Sequence, residues 1–274
     1  MMYHDSPLGK NSVYDASYNP DLLFAILRQE KRTAIGITNT LPFVGFDLWH
    51  HYEVSWLNEK GKPIVALAEI CYSCHTPFMI ESKSMKLYFN TFNNTVFKDE
   101  NIVSETIKKD LENTVDGLVN VKVMLLSEIK TETIFSDFEG ECLDNLDIDC
   151  TVYTPMPSFL KTGKNIVTEV LHSNLLKSNC LVTQQPDWGS IQISYTGKEI
   201  HKPDLLRYLV SFRNHNEFHE QCIERIFVDI LHHCQPDSLT VYGRYTRRGG
   251  IDINPYRTTL SQEIDILNRR LCRQ

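Results

Sequence analysis

The chain has no excess of positive charge: 28 Lys and Arg stand against 35 Asp and Glu, a formal net charge of -7. With no basic field to gather phosphate backbones, direct nucleic-acid binding is not expected. There is no apolar run long enough to cross a bilayer, so no membrane partner is expected either. The opening stretch "MMYHDSPLGKNSVYDASYNP" is polar and aromatic and lacks the basic start and apolar core of an export signal, which makes the cytoplasm the expected compartment. Two phosphate-binding signatures are missing as well, G-x-G-x-x-G after a strand and G-x-x-x-x-G-K-[ST]. Any dinucleotide must therefore bind without a Rossmann unit or a P-loop. At 42% hydrophobic and 23% charged residues the composition is that of an ordinary globular protein, neither disordered nor a disulfide scaffold.

What the chain does have is length for a full core and eight cysteines in 274 residues. In a reducing compartment these are expected to be mostly free thiols, one of them reactive.

The pattern of elements repeats. Residues 1–35 lack steady periodicity and read as an arm. "DLWHHYEVSW" and "PIVALAEICY", joined through "NEKGK" around Gly61, read as a hairpin of strands. "ESKSMKLYFNTF" and "DENIVSETIKKDLENTV" read as helices, the second with Asp99 as N-cap and Ile102, Ile107 and Leu111 on one side. "NVKVMLLSEI" closes the unit as a strand. The second half gives the strands "NIVTEVLHSNLLK" and "GSIQISYTG", two successive helices over "KPDLLRYLVSFRNHNEFHEQCIERIFVDILHHC", and the strand "SLTVYGRYT". Strand pair, helix pair, strand, twice over, implies antiparallel sheets each backed by helices on one face, an α+β architecture. The modules are placed at 36–140 and 141–274, with the junction in the acid-, Gly- and Pro-rich stretch "SDFEGECLDNLDIDCTVYTPMPSFLKTG".

Several constellations could carry chemistry. In "SNLLKSNCLVTQQPDWGS", Cys180 sits among polar residues, whereas a structural cysteine usually lies in an apolar run, and Asp187 follows just past a proline. In the helix "NEFHEQCIERIFVDIL", Phe218, Cys222, Ile226 and Leu231 mark a buried stripe. His219 falls on the side of Ile223, Ile226 and Ile230, and Glu220 lies at the stripe's edge, a costly place for a carboxylate without a partner or ligand. His215 and His219 have the spacing of a zinc-protease helix, but Asn216 stands where that motif needs its glutamate. "CYSCH" (Cys71 to His75) matches a haem-attachment pattern, yet covalent haem goes with export. A zinc site there would need ligands from "LHHC", His232 to Cys234. "YGRYTRRGG" joins three arginines to a glycine pair, suited to phosphate oxygens and close backbone approach. "IESKSMKLYF" puts Glu81, Ser82, Lys83 and Lys86 at a helix start, where backbone N–H groups and lysines favour anions.

Taken in order and spacing, "ESKSMKLY", "LLKSNCLVTQQPDWGS", "RYLVSFRNHNEFHEQCIERI" and "YTRRGGIDINP" closely resemble the NADPH-dependent 7-cyano-7-deazaguanine reductases of queuosine biosynthesis, in their long, two-module form. The resemblance implies tandem ferredoxin-like units of the tunnelling fold. It also implies reduction of a nitrile to a primary amine, giving 7-aminomethyl-7-deazaguanine with two NADPH, no metal, and a homodimer. By match, Cys180 stands as the nucleophile that forms a covalent thioimide and Asp187 as the acid that protonates nitrogen. His219 and Glu220 match substrate-binding residues, with Ile80, Glu81 and Ser82 on the other side of that pocket. Ser82, Lys83, Arg248 and Gly249 match NADPH contacts. Two rival readings are a zinc-dependent hydrolase resembling GTP cyclohydrolase I and a catalytically silent purine- or pterin-binding module. A pure binder would need neither Cys180 nor Asp187.

Overall fold

A computed structural model describes residues 17–127, 137–261 and 270–274. In chain order the elements are β1 (Ala25–Leu27), α1 (Gln29–Ala34), β2 (Val44–Leu57), β3 (Pro63–Ser73), β4 (Phe78–Ile80), α2 (Ser82–Asn90), α3 (Glu100–Val115) and β5 (Val119–Leu125). There follow β6 (Glu141–Cys142), β7 (Thr162–Ser173), β8 (Lys177–Asn179), β9 (Pro186–Ile200), α4 (Lys202–Ser211), α5 (His219–Cys234), β10 (Ser238–Tyr245) and β11 (Ile251–Thr258). The architecture is α+β, with antiparallel strand pairing broken only by the short parallel contact of β6 with β7 among the described pairs. Among the described residues no helix is long and apolar enough to cross a membrane.

The chain forms two compact units, neither of them a single stretch. The first comprises the described residues of Met1–Glu30, Phe46–Glu132 and Arg247–Asp252, and the second those of Lys31–Gly45, Thr133–Thr246 and Ile253–Gln274. The segments Lys31–Gly45 and Arg247–Asp252 thus lie apart from the division expected at 36–140 and 141–274, as do the described residues 137–140, and the first two have a physical reason. Arg32 is buried against α5, where its guanidinium forks onto the Glu224 carboxylate at 2.9 and 2.6 Å. Asp252 is 1% exposed and accepts a 2.7 Å hydrogen bond from the Tyr52 hydroxyl, while His50 Nδ1 lies 2.7 Å from its other oxygen.

In the first unit the strand order is β5-β3-β2. The β2–β3 turn forms as expected because the Asn58 side chain accepts from the N–H groups of Lys60 and Lys62 and Gly61 supplies a φ of 74°. Helix α3 begins at Asp99, whose side chain caps the N–H of Ile102. Its buried face is Val103, Ile107, Leu111 and Val115, whereas Ile102 is 44% exposed, so the expected stripe is shifted by one position at its start. The part of the expected arm before residue 17 lies outside the described residues. Its continuation is tied to α2 and α3: Tyr18 donates to Asp110 at 2.6 Å, and the Phe24 N–H donates to the Ser84 hydroxyl. β1 then pairs with β4, setting Ala25 opposite Ile80.

In the second unit the order is β11-β10-β9-β7-β6, with β8 paired to β9. Helix α5 buries Cys222, Ile223, Ile226, Phe227 and Ile230, while Leu231, expected in the stripe, is half-buried. β11 was not anticipated. Asp252, Asn254, Pro255 and Arg257 break any apolar alternation in it, yet every residue of the strand is buried. Burial is tolerated because the polar groups are paired. Asn254 Oδ1 accepts from the Gln274 amide at 2.6 Å, and Arg257 donates to Glu224 Oε1 at 2.9 Å. Glu224 is therefore shared by two buried guanidiniums, Arg32 and Arg257, which also lie over the Phe43 ring at 5.8 and 5.5 Å.

Removing the anion from this buried cluster leaves two cations without their counter-charge. Glu224→Ala is expected to lower unfolding free energy by about 3–5 kcal/mol in urea titration; a loss below about 1 kcal/mol would contradict this account of the cluster.

Candidate active site

The second unit carries Cys180, Asp187, His219 and Glu220. Strands β8 and β9 form a tight hairpin in which Ser178 lies opposite Asp187 and Asn179 opposite Pro186. The ladder runs one step further, since the Cys180 N–H donates to the Gln185 carbonyl at 2.9 Å. The turn closes with the Gln184 N–H donating back to the Cys180 carbonyl, Gln184 taking a left-handed φ of 56°. By strand alternation Cys180, Ser178 and Asp187 share one face of the hairpin. Cys180 is 4% exposed. The polar neighbours that set it apart in the sequence serve the scaffold: Ser178 is fully buried opposite Asp187, and Asn179 ties the hairpin to the loop before α5.

That tie is specific. The Asn179 N–H donates to the His215 carbonyl at 2.8 Å, and the Glu217 N–H donates to the Asn179 carbonyl at 3.1 Å. The Asn179 side-chain amide also donates to Asn216 Oδ1 at 3.0 Å. The residue before the cysteine is thus bonded two and four residues before His219. Glu217 in turn anchors the loop, taking two hydrogen bonds from Arg225 at 3.0 and 2.8 Å, with His215 Nε2 at 2.8 Å. Burial alone would raise the Glu217 pKa, but the hydrogen bonds from His215 and Arg225 outweigh it and hold the carboxyl down at about 2.

His219 opens α5, with Nε2 3.3 Å from Asp187 Oδ2, so the structure brings the sequence-matched acid and histidine into contact. The imidazole stacks on the Tyr245 ring at 4.0 Å with an interplanar angle of 17°. Glu220, one residue on, is 3% exposed in the first turn of the helix. Its carboxylate is of the type that accepts the paired ring N–H and exocyclic amine of a guanine-like edge. Cys222 lies one turn of helix below His219, fully buried, and burial pushes its thiol up to about 12.

The first unit carries the other candidates. Ile80 and Glu81 are 2% and 0% exposed, and Ser82 and Lys83 form the first turn of α2. Glu81 is the N-cap of that helix: its two oxygens accept the N–H groups of Lys83 and Ser84 at 2.9 and 2.8 Å. Burial raises its pKa against the lowering effect of those two hydrogen bonds and of Lys86 and Lys83. Gly249 has a φ of 58°, and a Cβ there would come within 3.0 Å of the Lys86 side chain. Beside it Arg247 lies over the Tyr52 ring at 4.2 Å, and the Tyr52 N–H holds the Gly250 carbonyl at 2.9 Å. Lys86 beside Gly249, Lys83 on the same helix, and Arg247 and Arg248 just before the glycine are groups of the kind that pair with phosphate oxygens.

Lys86 was placed with the anion-favouring helix start by sequence, whereas Arg247, Tyr52 and Asp252 were not singled out as supports of the glycine loop. Their roles depend on β11 being a strand. Tyr245 was likewise missed, although its two-residue spacing from Gly243 in "YGRY" marks both for one face of a strand. Among the described residues no three His, Cys, Asp or Glu side chains gather as a metal site would.

The order of these pieces along the chain is that of a known family. Residues 14–123 match the family described as nitrile reductase, 7-cyano-7-deazaguanine-reductase N-term, and residues 186–263 match QueF-like protein. An NADPH-dependent 7-cyano-7-deazaguanine reductase of Legionella pneumophila (strain Lens) is 60% identical over 272 residues, covering 99% of this chain and 95% of the relative. One of Polaromonas sp. (strain JS666) is 53% identical over 271 residues, 98% of each chain. This chain belongs to the NADPH-dependent 7-cyano-7-deazaguanine reductases. Its nicotinamide co-substrate is accordingly NADPH. Neither matched family segment includes Cys180, which lies between them on the hairpin.

In this reductase the Glu217 carboxyl supports the loop that joins the cysteine hairpin to α5. Because its folded pKa is depressed, its stabilisation is present above the unfolded value near 4.5 and fades as pH falls toward about 2. Glu217→Gln should therefore lose on the order of 3 kcal/mol at neutral pH, with the deficit shrinking through that window in denaturant titrations. Parallel stability curves for the two proteins would contradict the assignment.

Proposed function

We propose that this chain reduces the nitrile of 7-cyano-7-deazaguanine to 7-aminomethyl-7-deazaguanine through a covalent thioimide on Cys180, consuming two NADPH. The observation that carries the reading is the contact of Asp187 with His219 on the same hairpin and helix that are bonded together beside Cys180. The Cys180 sulfur adds to the nitrile carbon; an S–C bond forms, one C–N π bond breaks, the nitrogen takes a proton from the Asp187 carboxyl, and the thiol proton replaces it there. Converting C≡N to CH₂–NH₂ takes four electrons, which NADPH supplies as two hydrides. Between the two additions the carbon expels Cys180 as thiolate, freeing an imine that accepts the second hydride. Splitting the reduction in this way replaces attack on an unactivated nitrile with attack on a polarised C=N carbon.

His219 and Glu220 bind the deazaguanine edge in this reading, and Ile80, Glu81 and Ser82 are assigned as substrate-binding residues by their match to the family's motif. The Asp187 contact of His219 keeps the imidazole beside the proton donor. Ser82, Lys83, Arg248 and Gly249 take the phosphates of NADPH, supported by Lys86. The product serves queuosine biosynthesis, and the enzyme works in the cytoplasm as a homodimer on a free small molecule, without contacting nucleic acid or membrane.

The parent enzyme should consume two NADPH per aminomethyl product. Cys180→Ala should lose turnover by more than about 10³-fold while binding the nitrile with a dissociation constant close to that of the parent. Retained turnover in Cys180→Ala would remove the nucleophile from the mechanism.

A further inference from the structure

The His219 imidazole can face Asp187 only if something fixes the plane of its ring. His219 is the first residue of α5, whose N-cap residue Phe218 has no side-chain oxygen to cap the helix end. Its ring rests instead on Tyr245 of β10, stacked at 4.0 Å and 17°. Tyr245 is fully buried and lies opposite Gly189 in the β9–β10 register. Two residues before Gly189 on the same face is Asp187, and two residues before Tyr245 is Gly243.

Both glycines are needed for that arrangement. A Cβ at Gly189 would meet Cδ1 and Cε1 of the Tyr245 ring at 3.2 Å. A Cβ at Gly243 would come within 2.6 Å of Ile223 Cδ1 and 3.4 Å of Tyr245 Cε2. His219 and Ile223 are one helical turn apart, so the first turn of α5 sits on Tyr245 and the second on the bare backbone at Gly243. With glycines on two sides the tyrosine ring lies across the sheet, and the imidazole lies flat on the ring with Nε2 facing Asp187.

We infer that Tyr245 is a positioning residue for the reductase reaction, its ring holding the His219 imidazole in the plane that faces Asp187, and that Gly189 is the clearance which lets the ring lie there. The inference rests on the proposed role of His219 and Asp187, so its test has one readout that does not depend on turnover. By proton NMR, the His219 Hε1 resonance, identified by its loss in His219→Asn, should be shifted upfield by the stacked ring. It should move downfield in both Tyr245→Leu and Gly189→Ala and stay in place in Tyr245→Phe. An unmoved resonance in Tyr245→Leu, or, if that variant does not fold, in Gly189→Ala, would overturn the inference even in a protein without activity. In turnover assays Tyr245→Leu should lower kcat by about 10²-fold, as small misplacements of catalytic groups do, with Tyr245→Phe restoring most of the rate. Placed in the His219→Asn background, Tyr245→Leu should cost less than about threefold more, because its effect runs through the missing imidazole. An equal loss in both backgrounds would make Tyr245 a packing residue only. A parent enzyme that fails to turn over the nitrile would count against the proposed function, leaving the NMR shift to decide the role of Tyr245.

Discussion

The two backbone hydrogen bonds between Asn179 and the loop before α5 are what the rest of the candidate site depends on. They join a three-residue strand to the start of a sixteen-residue helix, and so fix Cys180 relative to His219 and Glu220 without using any of those side chains. The loop is itself held by a buried carboxylate between Arg225 and His215. Groups proposed for bond making are thereby carried on paired strands and a helix terminus, whose positions are set by backbone pairing and packing, and not on a free loop.

The first unit uses the same economy with other materials. Glu81 satisfies the open N–H groups of α2, so the helix start that presents Ser82 and Lys83 is capped by the residue just before them. The glycine loop at 249–250 is fastened by Tyr52, through its N–H to the Gly250 carbonyl and through its ring to Arg247. Asp252 then fixes Tyr52 from the far side. The groups proposed to take the NADPH phosphates thus sit on a capped helix and a braced turn.

Local signals were the legible ones. Asp99 could be read as a cap because a cap is defined by the three residues after it, and the β2–β3 turn because Asn58 and Gly61 act on their own neighbours. Strings such as "SNC…PDWGS" and "NEFHE" exposed the candidate side chains for the same reason. β11 was hidden, since its polar residues are explained only by partners far along the chain: His50 and Tyr52 for Asp252, Gln274 for Asn254, Glu224 for Arg257. The discontinuous units follow from those same long-range pairs. Ile102 was misread because helical periodicity gives a stripe but not its exact phase, and Val103 takes the buried position. The polar setting of Cys180 has its structural cause in hairpin pairing and in the tie to His215 and Glu217, which only the folded chain shows.

Covalent capture at Cys180 is the central claim, and the intact mass of the protein incubated with 7-cyano-7-deazaguanine in the absence of NADPH tests it most directly. Addition across a nitrile expels nothing, so the parent should gain the whole mass of the substrate and Cys180→Ala should gain none. An adduct of equal yield on Cys180→Ala, or none on a parent shown to bind the nitrile, would contradict the account.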